Sequence, residues 1–73
     1  MVFHILRVEN GHESAEPKSY YTEEEAVEAI KRRIFAAETQ GGAGGPPEQG
    51  MPDWWLRTSG ITVQYRIVIP ATF

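Results

Sequence analysis

The sequence predicts a small α+β domain in which one helix packs on one face of a mainly antiparallel sheet, in the order ββαββ. Three observations predict it. The chain begins and ends in extended, β-branched stretches, its middle carries a capped amphipathic helix, and two turn signals sit where hairpins would close.

Val2 to Glu9 reads as the first strand. Val2, His4, Leu6 and Val8 alternate with Phe3, Ile5, Arg7 and Glu9, so both faces are apolar near its start. That pattern is expected of a sheet covered on both sides there. Asn10-Gly11 comes next, a dipeptide that supplies the two positive φ angles of a two-residue hairpin turn. The return limb is weaker, because Pro17 has no N–H to give to a central ladder. Residues 12–18 are therefore expected as a polar loop or edge strand, with pairing resumed from Ser19 to Tyr21.

Thr22-Glu23-Glu24-Glu25 matches the capping box, in which the Thr and Glu side chains satisfy free backbone donors of the first turn. Ala26, Val27, Ile30, Ile34 and Ala37 then recur on one stripe, the face that should lie on the sheet. The glutamates of the first turn and the later Lys31, Arg32 and Arg33 complement the helix dipole, and Glu28 stands one turn before Arg32. Gly41 is the stop signal. Residues 41–53 are so rich in Gly and Pro that they are expected to form a flexible loop, of a length that is usually functional when it interrupts a compact domain.

Asp53 to Arg57 reads as a short strand, although Pro52-Asp53-Trp54-Trp55-Leu56 could also open a helical turn. Thr58-Ser59-Gly60 is the second turn signal. Ile61, Val63, Tyr65, Ile67 and Ile69 then alternate with Thr62, Gln64, Arg66 and Val68, giving one clean apolar face that Pro70 ends.

The 73 residues are expected to form one domain, 1–73, and at that size a single core contributes only about 3–5 kcal/mol. Small domains add disulfides, a structural metal or a partner subunit. The chain has no cysteine, and His4 and His12 match no zinc-ligand spacing, so association remains and a homo-oligomer, with a dimer favoured, is expected. Absence of cysteine, of a secretion-type leader and of a long apolar run points to a soluble protein of the cytoplasm, without a membrane partner. A net charge of −3 argues against broad nucleic-acid binding, though not against a local basic patch.

No motif in the chain carries catalytic, cofactor or metal chemistry. His12-Glu13-Ser14-Ala15-Glu16 lacks the second histidine that a zinc protease helix requires. Gly41-Gly42-Ala43-Gly44-Gly45 comes after a helix instead of opening one and lacks the Lys-Ser/Thr of a phosphate loop. Glu23, Glu24, Glu25 and Glu28 are accounted for by the helix dipole. His4, alone among apolar neighbours, is expected as a hydrogen-bonded residue beside the core. Surplus aromatics remain. Phe35 lies off the apolar stripe of the helix, and Trp54 and Trp55 are adjacent, so in a strand their rings face opposite ways and only one joins the core. The sequence thus points to a non-enzymatic protein-interaction or regulatory module that self-associates, with Phe35, Trp54 and Trp55 near its partner surface. The alternative is a small nucleic-acid-binding accessory protein using Arg33, Arg57 and Arg66 beside the tryptophans.

Overall fold

A computed structural model describes residues 2–48 and 53–69. Strand β1 (Phe3–Glu9) turns through Asn10 and Gly11, at φ 52° and 78°, into β2 (His12–Tyr20). Helix α1 (Glu23–Glu38) comes next, then β3 (Ala43–Gly45), β4 (Trp54–Thr58) and β5 (Ile61–Val68). Ser59 and Gly60, at φ 52° and 76°, close the second hairpin. All neighbours are antiparallel, in the order β2-β1-β5-β4-β3. The predicted α+β fold is the one observed, one helix on one antiparallel sheet.

The helix starts where its cap dictates. Thr22 is extended, at φ −131° and ψ 156°, and its Oγ1 accepts the Glu25 backbone N–H at 3.1 Å. Ala26, Ile30, Ile34 and Ala37 are buried against Ile5, Tyr20, Leu56, Val63 and Tyr65 of the sheet, with Phe3, Trp54 and Ile67 packed around them. Ile5 and Ile30 are wholly enclosed and mark the centre of the core. On the exposed side Glu28 meets Lys31 at 3.8 Å, one position short of the Arg32 pairing that the spacing suggests.

Residues 12–18 are an edge strand. Between the pairs His4↔Ser19 and Leu6↔Ala15 the single residue Ile5 faces Glu16, Pro17 and Lys18, so β2 bulges by two residues. The bulge lets Pro17 sit in an edge strand without breaking the ladder, because no further strand needs its N–H. Tyr21, expected to continue the pairing, lies beyond the strand and is exposed.

Part of the glycine-rich segment is sheet. Ala43, Gly44 and Gly45 pair with Arg57, Leu56 and Trp55. A Cβ on Gly44 would stand 2.8 Å from the Trp55 carbonyl oxygen and 2.9 Å from Ile34 Cγ1, so glycine is what admits the helix against this edge. Residues 49–52 of the expected loop lie outside the described residues.

Candidate functional site

Strand alternation divides the sheet's side chains between two faces. Phe3, Ile5, Trp54, Leu56, Val63, Tyr65 and Ile67 lie on the helix side. The other face has no covering element among the described residues, contrary to the two-sided coverage that the β1 pattern suggests. One helix is enough for one face only.

The register fixes which open-face residues are neighbours. One row across all five strands is Glu13, Val8, Gln64, Trp55 and Gly45. The next holds Ala15, Leu6 and Arg66, with Asp53 beside Arg66, and a third holds Ser19, His4 and Val68. On the other side of the Trp55 row lie Thr62, Arg57 and Ala43. Leu6, Val8, Val68, Gln64 and Trp55 are half-buried by their neighbours alone.

Trp55 is held in place from two directions. A Cβ on Gly45 would come within 3.1 Å of the indole Nε1, so the glycine leaves room for the ring to lie against the β3 backbone. The Arg57 guanidinium stands 5.8 Å from the ring centroid, within cation–π range, and its Nε donates to Thr62 Oγ1 at 3.5 Å. Beside the ring is an open depression of about 220 Å³ lined by Glu48, Asp53, Trp55, Arg57, Thr62 and Gln64.

Asp53 is buried, and Arg66 closes on it with Nε to Oδ1 at 2.6 Å and Nη2 to Oδ2 at 3.3 Å. These hydrogen bonds, helped by the charges of Asp53 and Glu13, hold the Arg66 guanidinium above its ordinary value against a smaller desolvation effect. Arg66 is therefore engaged within the chain.

Arg33 is engaged on the helix side. It donates from Nη1 and Nη2 to Glu16 at 2.8 and 2.6 Å and lies 5.1 Å from the Tyr65 ring. Hydrogen bonding to Glu16 is the main cause that raises its pKa, and burial opposes it. The pair ties the β2 bulge to the helix. His4 spans the same bulge from the other face, its Nδ1 donating to the Glu16 carbonyl oxygen at 3.0 Å, so the ring proton on that nitrogen has a structural use.

The residues singled out in the sequence thus fall into separate places. Trp55, Arg57 and Arg66 share the open face. Trp54 packs with the core, Arg33 bonds Glu16 on the helix side, and Phe35, 68% exposed, projects from the helix. Sequence reasoning misses Leu6, Val8, Val68 and Gln64 as one surface, and misses Asp53 as the partner of Arg66. The even-numbered apolar residues of β1 carry that signal, but in the sequence they read as a second covered face.

Among the described residues no group of three metal-ligating side chains comes together, and no helix is long and apolar enough to cross a membrane. No protein-family model, curated protein or solved structure gives a significant match to the chain.

Proposed function

We propose that this protein is a non-enzymatic interaction module of the cytoplasm that self-associates, most simply as a dimer, through the open face of its sheet. The observation that carries this reading is the face left uncovered among the described residues: Leu6, Val8 and Val68 on β1 and β5, with Trp55 across Gln64 from Val8, while the helix is spent on the opposite side. Apolar sheet surface left to water costs about 25 cal/mol for each Å² that a partner could bury. A chain with so small a core gains proportionately more from such a partner than a large domain would.

Light scattering after size exclusion, over a concentration series, tests the reading. Wild type is expected to be a dimer, Trp55→Ala to dissociate while keeping its fold, and Trp54→Ala to lose stability because that ring packs with the core. Phe35→Ala should leave self-association unchanged, since Phe35 lies on the helix. A wild-type monomer throughout the series refutes the proposal.

The nucleic-acid alternative draws support from one observation, that Trp55, Arg57 and Arg66 stand on one face. Against it, Arg66 is occupied by Asp53, Glu13 and Glu48 border the same surface, and Arg33 is on the other side. Oligonucleotide binding that weakens steeply with salt would favour this alternative over salt-insensitive dimerisation.

A further inference from the structure

The open face is self-complementary in one orientation, and the structure assigns the occupant: we propose that a second copy docks face to face about a two-fold axis running parallel to β5, setting Trp55 of each copy on Val8 of the other. The inference rests on the self-association reading and adds which way the copies face.

Edges are the usual alternative route for joining sheets, and here both are blunted. β2 carries Pro17 and a two-residue bulge, and β3 is three residues long and runs into Pro46-Pro47. The face is large enough instead. Rows of five, four, three and three residues, at about 4.8 Å between strands and about 7 Å between rows, give about 500 Å² per copy. The total of about 1,000 Å² is the least that a specific interface is expected to bury.

A two-fold axis in the plane between facing sheets has two simple settings. When it runs along the strands, rows are kept and strand order is reversed, so the central β5 meets its own mate. The row Glu13, Val8, Gln64, Trp55, Gly45 then lies on its reverse. Val8 receives the partner's Trp55, a ring on an aliphatic bed, and this happens twice. Gln64 meets the partner's Gln64, and an amide both donates and accepts, so it can pair with its own copy. Glu13, on the β2 edge, comes to the side of the partner's Arg57. Arg66 approaches the partner's Arg66, but each is neutralised by its own Asp53.

When the axis runs across the strands, every strand meets its own mate. With that axis on the Trp55 row, Glu13 meets the partner's Glu13, a carboxylate with no neutralising cation in that row, and Trp55 meets the partner's Trp55 instead of an aliphatic residue. Facing carboxylates are unfavourable. The lengthwise setting covers the same surface, the Asp53–Arg66 pairs included, but it keeps the two Glu13 carboxylates apart and gives each Trp55 the aliphatic bed of Val8.

Because the chain has no cysteine, a single introduced one reports the orientation. Gln64→Cys sits over the lengthwise axis, so a short bismaleimide should link it into a covalent dimer as the main product. Glu13→Cys lies two strands from that axis, and its mate is then about 19 Å away across the sheet, beyond the reagent. Its linked product should be many-fold lower. Both positions are on the surface, and circular dichroism checks that each variant keeps the fold. A dimer in which Glu13→Cys links efficiently, or Gln64→Cys does not, overturns the orientation and leaves self-association standing. Monomeric protein by light scattering overturns both.

Discussion

Gly44→Ala separates a docked strand from a flexible loop by the sign of its effect. In a flexible segment, alanine in place of glycine narrows the unfolded ensemble and stabilises by about 0.4–1 kcal/mol. In the structure the added Cβ would stand 2.8 Å from the Trp55 carbonyl oxygen and 2.9 and 3.0 Å from two Ile34 carbons. The first neighbour is backbone of β4, and the others belong to a buried side chain on the helix stripe. Neither yields easily, and overpacking of this kind costs about 1–3 kcal/mol. Subtracting the unfolded-state gain leaves a net loss of about 0.5–2 kcal/mol. For a domain of this size that lowers the melting temperature by roughly 3–15 °C. Thermal and urea unfolding followed by circular dichroism measure it directly. A variant as stable as wild type, or more so, would refute the docking of β3 beneath Ile34.

Thr22→Ala removes the oxygen that accepts the Glu25 N–H, and should cost about 0.5–2 kcal/mol with fraying confined to the first helical turn in hydrogen exchange. The pair of Arg33 with Glu16, tested by a double-mutant cycle with glutamine at each position, should show a coupling of about 0.5–1 kcal/mol, since both side chains remain partly in solvent. A base whose pKa is raised by folding stabilises at every pH below its unfolded value and loses that only as pH rises through the folded value. The guanidinium's share of the coupling should therefore be the same at about pH 6 and pH 9, and a fall over that interval would contradict the raised Arg33.

The elements legible in the sequence are those whose cause is local. Thr22 caps a helix whatever lies around it, Asn10-Gly11 and Ser59-Gly60 take positive φ on their own account, and the alternation of β5 needs no knowledge of its partner. The features that escape depend on the third dimension. Gly44 looks like linker because the reason for its missing side chain is Ile34, ten residues earlier in the chain, and Gly45 is small for the sake of Trp55, ten residues later. The bulge that accommodates Pro17 is visible only in the register with β1. Arg33 and Arg66 look free in the sequence, and their carboxylates, Glu16 and Asp53, are 17 and 13 residues away. Phe35, Trp54, Trp55, Arg33, Arg57 and Arg66 stand out in the sequence as surplus aromatics and cations, but neighbourhood on the surface comes from strand pairing, which composition does not contain.

The two tryptophans bear the consequence of having one helix. Adjacent residues of a strand face opposite ways, so Trp54 and Trp55 could not both be covered from one side. Trp54 joins the core, and Trp55 is left on the face that the helix does not cover. It is nonetheless not loose, because Gly45 opens a seat beneath the indole and Arg57 lies within cation–π range of its ring. Ordering a side chain at an interface costs about 0.5–1.5 kcal/mol, and a ring already seated has met much of that cost before any partner arrives. A seated aromatic on an uncovered sheet face is more than residue left over from folding. Its position is fixed by neighbours on two strands, and any partner that removes the face from water must be shaped to it.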